Sequence, residues 1–349
     1  MRVSPFTTYF HRQSRVEAVL SIYGGSNELG NRGVLIGYTS EAPRLPVYVT
    51  SEDVLRHCLI VGTTGSGKTR LAMKLSRKLR QYGTVLVLDW YGEYLDVGDR
   101  VVSVGTEEPV LVPIEDALDA VSLLEEVLDL TSPQSYLLTK ILRRPKDLEI
   151  VTDLLDAYEP EARWEIETRA SLARKVSLLL KYGKIFRVVH PDEIHRVGEM
   201  FKDKLTVFNL SPLKTVELKR LAALGVLKAV KYLKEKKVVD GNEYVVVEEA
   251  HNVMARSKLL QRYLAEVRKL GIGLIVVTQS PAGLSYEVMN NTNVKIVKTL
   301  KSAEDIASIS KSMNLDGKLA SLLNKLRYDE AIVEAPSIPE PVLVELESE

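Results

Sequence analysis

The chain has almost no cysteine: among its 349 residues only Cys58 carries a thiol. That excludes an intrachain disulfide and fits a reducing cytosol. It also lacks a charge imbalance, with 47 Lys and Arg against 47 Asp and Glu, so no whole-molecule field draws it to nucleic acid or to an anionic membrane. Any polyanion site must therefore be a local patch. Long hydrophobic runs are missing too: stretches such as Val85 to Leu88 and Leu274 to Val277 are strand-sized and far short of a bilayer span. Met1 to Arg15 contains no apolar signal-peptide core. A cytoplasmic protein without membrane association is the expectation. There is no internal repeat and no low-complexity segment. What is abundant is apolar residue, 45%, enough for one large domain or two ordinary ones, and charge, 27%, which with few glutamines leans towards a thermophile.

Residues 16 to 50 hold short β-like runs (Val16 to Tyr23, Val34 to Tyr38, Val47 to Val49) punctuated by Gly24, Gly25, Gly30, Gly33 and Pro46. From Cys58 short apolar strands alternate with helical stretches: 58–61, a helix to about 81, then 85–89. Further strands are expected at 205–209, 244–248, 272–278, 294–299, 329–334 and 342–346, with helices near 215–236, 256–270 and 302–312. Such alternation predicts a mostly parallel sheet with helices on both faces. Between about 115 and 200 helical periodicity dominates (117–130, 135–142, 149–158, 163–182) and no strand run is evident, so a helical insertion is expected there. The resulting expectation is an N-terminal β segment over 1–50, an α/β core over 51–114 and 201–349, and a helical subdomain over 115–200.

Gly62-Thr63-Thr64-Gly65-Ser66-Gly67-Lys68-Thr69 fits G-x-x-x-x-G-K-[ST], with a strand ending at Val61 and a helix beginning near Lys68. Glycines at 62, 65 and 67 let successive N–H groups face one centre, to which the helix adds its positive end. The concavity suits the polyphosphate of ATP. Lys68 can reach the β- and γ-phosphates, the Thr69 hydroxyl can ligate the bridging Mg²⁺, and Arg70 is grouped with these nucleotide-binding positions.

Tyr244 to Asn252, YVVVEEAHN, reads as a strand covered on both faces and ending in two carboxylates, expected beside the phosphate loop in a sheet of this kind. Glu248 is assigned to Mg²⁺ and Glu249 to the water that attacks the γ-phosphate; a solvated acidic helix start is the competing reading. His251 and His57 lack partners at ligand spacing, so packing or polar support is expected of them rather than zinc.

The string HCLIVGTTGSGKT (57–69), followed by VLVLDWYGEY (85–94), VVVEEAHN and VRKLGIGLIVVTQSP (267–281), resembles the HerA branch of the HerA/FtsK superfamily of P-loop ATPases. The tail DEAIVEAPSIPEPVLVELE (329–347) is similar to that family's last strands, so the resemblance runs from about residue 46 onward. It implies an α/β, RecA-like P-loop NTPase fold, a mostly parallel sheet flanked by helices, with a helical insertion and a small N-terminal β segment. It also implies that Lys68 and Thr69 serve the phosphates and Mg²⁺, that Glu249 is the base, and that Gln279 senses the γ-phosphate. The family usually carries Asp-Glu where this chain has Glu248-Glu249. Asp89 and Glu93 resemble a supporting D-x-x-G-E-Y element, with Trp90 in a packing or gating role.

The same resemblance implies a homo-oligomer, a hexameric ring with sites between subunits, in which an arginine of the neighbour acts in trans. Arg268 and Arg56 are the candidates, each with solvated surface as its alternative. It implies work on double-stranded DNA, possible with a few basic side chains per subunit because the duplex carries roughly one charge per 1.7 Å, and a nuclease partner of the NurA kind. The basic stretch 218–237 has apolar residues at Leu221, Leu224, Leu227, Val230 and Leu233 and is read as a sheet-covering helix with a solvated lysine face. The turns Arg143-Arg144-Pro145-Lys146 and Ala255-Arg256-Ser257-Lys258 are the pore-loop candidates. Two further readings stay open: a DNA-packaging or conjugative DNA pump, and a nucleotide-binding regulatory module in which Glu248 damps hydrolysis.

Overall fold

The computed structural model describes residues 33–41, 43–106, 108–144, 150–180, 185–254 and 258–347. The expected strand at Val16 to Tyr23, and Pro145, Lys146 and Ala255 to Ser257 of the two pore-loop candidates, lie outside them. The chain forms two compact units, Met1–Tyr82 with Gly273–Glu349, and Gly83–Ile272. Strands are numbered in chain order among the described residues.

In the first unit, β1 (Gly33–Thr39), β2 (Pro46–Thr50), β3 (Cys58–Val61), β10 (Ile272–Thr278), β11 (Val294–Val297), β12 (Glu330–Glu334) and β13 (Val342–Leu346) stand in the order β2-β1-β13-β12-β11-β3-β10. The contacts of β3 with β10 and β11 are parallel, whereas β11 with β12, β12 with β13, β13 with β1 and β1 with β2 are antiparallel. All of β3 and β10 is buried, as their unbroken apolar runs require of strands covered on both faces. Each fully buried Val, Leu or Ile contributes roughly 1.5–3 kcal/mol. The helix Lys68–Leu79 buries Leu71, Ala72, Leu75, Ser76 and Leu79, one stripe at helical spacing. His57 precedes β3 in a left-handed conformation (φ 67°), buried, its Nδ1 accepting from the Leu274 N–H at 3.0 Å; it packs as a polar strut.

In the second unit, β4 (Thr84–Asp89), β5 (Arg100–Ser103), β8 (Leu205–Asn209) and β9 (Glu243–Val247) are parallel in the order β9-β4-β8-β5. A separate parallel pair joins β6 (Val110–Pro113) to β7 (Phe186–Val189). The helices Ala117–Leu128, Ser132–Ile141, Val151–Ala157 and Arg163–Leu180 follow the expected periodicity. β7 corrects the strandless reading of 115–200: Phe-Arg-Val-Val is too short and too charged to signal itself, and its pairing with β6 makes it a strand. Within the helical region, Gln134 is buried, donating to Ser171 Oγ at 2.9 Å and accepting from Lys175 at 3.1 Å, while Lys140 pairs with the buried Glu165 at 2.7 Å.

The helix Val216–Glu235 buries Leu221, Leu224, Leu227, Val230 and Leu233, as their spacing predicts. It approaches β6 so closely at Gly225 that a Cβ there would sit 2.9 Å from Val112. Its basic residues correct the solvated-face expectation. Lys219 donates to the Trp90 carbonyl at 2.6 Å, Arg220 to that of Glu126 at 2.8 Å, Lys228 pairs with Asp119, and Lys231 with Glu266 at 2.5 Å. Their stems run along the helix and their charges are used inside the unit. No described helix is long and apolar enough to cross a membrane.

Candidate active site

The parallel register places the chemistry of the first unit. Val61 stands opposite Thr278 of β10 and Val297 of β11, so Gly62, Gln279 and Lys298 leave the sheet side by side at its C-terminal edge. Gly62 enters the phosphate loop, where Thr63 N–H donates to Thr299 O at 2.9 Å and Ser66 N–H to Thr63 O at 3.1 Å. Gly65 (φ 77°) and Gly67 (φ 90°) take left-handed conformations that glycine adopts without strain. They turn the chain into the helix Lys68–Leu79, whose N-cap Gly67 makes no side-chain cap bond. Lys68 is buried and its ammonium donates to Thr63 O at 3.1 Å, across the loop. The Thr64 hydroxyl donates to Gln279 Oε1 at 2.6 Å, tying the strand-end glutamine to the loop. Thr69 is half-buried at the first turn and Arg70 is exposed.

These residues fit a magnesium-bound nucleoside triphosphate. Among the described residues the Ser66 hydroxyl is buried with no hydrogen-bond partner, and none lies within 4 Å of a Cβ built on Gly65. A loop with open space over one glycine and an unspent hydroxyl, set at a helix N-terminus, is chemically suited to a polyphosphate. Among the described residues no cluster of three His, Cys, Asp or Glu could hold a metal alone. Phosphate oxygens would have to complete the Mg²⁺ shell begun by the Thr69 hydroxyl.

The second unit carries the carboxylates. Asp89 ends β4, is 1% exposed, and accepts from the N–H groups of Tyr91 (3.3 Å), Gly92 (2.8 Å), Glu93 (3.0 Å) and Tyr94 (2.9 Å). This knot fixes the turn 90–94 and explains the support role expected of Asp89; the Glu93 backbone is one of its donors. It delivers the buried Tyr94, whose hydroxyl donates a short bond to Glu248 Oε1. Burial first, then the Glu248 charge, pushes the Tyr94 phenol well above its usual range, so it stays protonated and donating. Trp90 is 3% exposed, which makes it a packing residue, and the Lys219 ammonium lies 5.2 Å from its ring centroid and 5.4 Å from that of Tyr91.

Glu248 and Glu249 follow β9 directly, as expected, and diverge. Glu248 is buried against Tyr94. Glu249 takes a left-handed backbone (φ 47°), and its Oε2 lies 3.2 Å from His251 Nδ1 without forming a hydrogen bond there. A buried carboxylate oxygen with accepting capacity left is the form a base for water takes.

Not every expected residue joins these groups. Arg56 is exposed and precedes β3, whose length separates it from Gly62 in the same chain. Arg268 is exposed on the one-turn helix Arg268–Leu270 leading into β10, whose far end carries Gln279. Three residues that the sequence expectations did not include brace the candidate groups, Lys298 in the first unit and Tyr94 and Lys219 in the second. Tyr94 was visible in the D-x-x-G-E-Y string, and Lys298 shares with Gln279 the signal of a polar residue closing an apolar strand. Lys219 had no signal.

The family profile described as "Helicase HerA, central domain" matches residues 34–234. The chain is similar to the "DNA double-strand break repair helicase HerA" of Sulfolobus acidocaldarius, with 26% identity covering 90% of this chain and 68% of that one. It is 25% identical to the "Probable DNA double-strand break repair helicase HerA" of Methanocaldococcus jannaschii, over 90% of this chain and 76% of that one. In fold it resembles VirB4 of Thermoanaerobacter pseudethanolicus (TM-score 0.69, 16% identity, 91% of this chain and 97% of that one). It also resembles the plasmid coupling protein TrwB solved with ADP and Mg²⁺ (TM-score 0.67, 14% identity, 87% and 88%). These likenesses place the fold among the P-loop ATPases, a mostly parallel sheet flanked by helices.

Proposed function

The chain belongs to the HerA family of P-loop ATPases, and from that premise we propose that it is an ATP-driven double-stranded DNA translocase that works as a ring in DNA end processing. Its enzymatic activity is ATP hydrolysis, and its relatives are named as double-strand-break repair helicases. The observation that carries the reading is the bond from Thr64 to Gln279, which ties the strand-end amide to the phosphate loop and so makes it responsive to what the loop holds.

In this reading the N–H groups of Gly65 to Thr69 and the Lys68 ammonium bind the β- and γ-phosphates, with the Ser66 hydroxyl inside the loop and Arg70 at its helical flank. Thr69, and Glu248 through water, would hold Mg²⁺, which would supply neutralisation of the phosphate charge. Glu249 orients a water and takes its proton, and His251 supports that carboxylate. Gln279 relays the γ-phosphate's presence through Thr64.

Arg56 and Arg268 are both exposed, the condition for supplying a cation to the site of a neighbouring subunit, and the resemblance to ring ATPases favours a hexamer with sites shared between subunits. Duplex DNA binds in the pore by phosphate contacts, without sequence readout. A nuclease of the NurA kind is the partner such a motor would feed. The test is steady-state ATP hydrolysis by the wild type and Glu249→Gln, with and without linear duplex DNA, over a range of protein concentrations. DNA-stimulated turnover that rises faster than linearly with protein and disappears in the variant is expected. DNA-independent turnover strictly proportional to protein would overturn the ring motor.

A further inference from the structure

The turn before β12 carries an aromatic side chain that neither fold nor hydrolysis requires. Tyr328 is 58% exposed, yet one edge of its ring lies against the phosphate loop: a Cβ built on Gly67 would sit 3.1 Å from ring atoms Cε2 and Cζ and 3.2 Å from the hydroxyl. An exposed tyrosine is usually held loosely. This one is held from three sides.

Lys298, 1% exposed, closes β11 with its N–H donating to Val61 O at 2.8 Å, and its ammonium donates to the main-chain carbonyl of Tyr328. The same ammonium lies 5.1 Å from the Tyr328 ring centroid. Within the turn, Glu330 N–H donates to Arg327 O at 3.1 Å, and Glu330 Oε2 accepts from Arg327 N–H at 2.9 Å. Leu346 N–H donates to Asp329 O at 2.7 Å, fixing the turn to β13. A buried lysine placed at the sheet edge beside the loop thus positions the exposed ring at the loop's lip.

Resting on the nucleotide reading of the loop, we propose that Tyr328 is the platform on which the base of the bound nucleotide stacks. On this proposal the phosphates occupy the concavity of Gly65 to Thr69 and the nucleoside leaves it past the first turn of the helix, where Gly67 has no side chain between the loop and the ring. A ring whose edge packs on that turn and which keeps more than half its surface in solvent offers a π-face to whatever leaves the loop there. Stacking accepts any base and rewards large ones, so the platform selects purine over pyrimidine nucleotides and separates adenine from guanine only weakly.

The experiment is calorimetric titration of the full chain with ADP and Mg²⁺, and separately with inorganic tripolyphosphate and Mg²⁺, which has the phosphates and no base. Tyr328→Ala is expected to raise the Kd for ADP about 5- to 150-fold, the range for loss of one base–aromatic stack, while its Kd for tripolyphosphate stays within about twofold of wild type. Tyr328→Phe, which keeps the ring, should retain ADP affinity and controls for folding. Equal losses for both ligands would mean that the ring only braces Gly67, and unchanged ADP affinity in Tyr328→Ala would mean that the base lies elsewhere; either overturns the proposal. A wild type that bound tripolyphosphate no better than Lys68→Ala would instead overturn the nucleotide reading of the loop, and the platform with it.

Discussion

Replacing Asp89 by Asn tests whether the knot at the end of β4 supports the carboxylates Glu248 and Glu249. The native carboxylate accepts four backbone N–H bonds, those of Tyr91, Gly92 and Glu93 on Oδ1 and that of Tyr94 on Oδ2. A bond to a charged acceptor contributes about 1.5–3 kcal/mol net, and one to a neutral acceptor about half of that. In the amide, Oδ1 keeps three weakened bonds, whereas Nδ2 meets the Tyr94 N–H donor to donor, leaving a buried group unsatisfied at a further cost of about 1–3 kcal/mol. The sum is on the order of 4 kcal/mol. For a unit of the length of Gly83–Ile272, where 1 kcal/mol shifts Tm by roughly 2–4 °C, the melting temperature should fall by about 10 °C. ATP turnover measured well below the new Tm should also fall, because Tyr94 is the donor that orients Glu248. Differential scanning calorimetry read beside steady-state hydrolysis gives both quantities. A Tm within about 2 °C of wild type would refute the knot as a support, and lost stability with full turnover would separate it from the chemistry.

Gln279→Ala removes the acceptor of Thr64 and should lower kcat about 100-fold, the scale for loss of one aligned polar group at a reacting phosphate. ATP affinity, measured by equilibrium binding, should change far less than kcat, and parallel losses would point to loop collapse instead. Glu243, 3% exposed at the start of β9 with Oε2 unpartnered among the described residues, has its carboxyl raised by burial from 4.5 to about 7. The folded state therefore holds more protons than the unfolded one, and stability falls as pH rises from about 4.5 through about 7. Glu243→Gln should flatten that slope and at pH 8 gain up to about 3 kcal/mol, read from urea unfolding at pH 5 and pH 8; identical slopes for the two proteins would contradict the assignment.

What could be read from the sequence was what short-range chemistry encodes. The phosphate loop was legible because glycine spacing, the lysine and the strand–helix context all fall within a dozen residues. Gln279 and the glutamate pair were legible because strands covered on both faces end abruptly in polar residues. β5, β6 and β7 were not, since Arg100 opens the first, Pro113 closes the second and Arg187 interrupts the third, leaving four-residue runs whose strand character comes from their partners. The helix Val216–Glu235 shows the same division. Its apolar stripe named the buried face correctly, but whether a lysine is solvated or paired depends on Asp119, Glu266 and the Trp90 carbonyl, which arrive from distant segments.

The glutamate pair carries the one departure from the family's usual Asp-Glu, and the structure gives it a physical reading. Two consecutive carboxylates leaving a strand would normally point to opposite sides, but the left-handed backbone at Glu249, which costs on the order of 1 kcal/mol for a non-glycine residue, redirects the second one at once. Glu248 thereby stays with Tyr94, while Glu249 turns towards His251. The extra methylene of Glu248 spans the distance to the Tyr94 hydroxyl, whose own place is set by the Asp89 knot. The longer side chain is accommodated by a dedicated donor, and under the proposed assignment of Glu249 as the base this weighs against the damped-hydrolysis reading: Glu248 is engaged by Tyr94 rather than by its neighbour, and Glu249 Oε2 keeps no hydrogen-bond partner among the described residues.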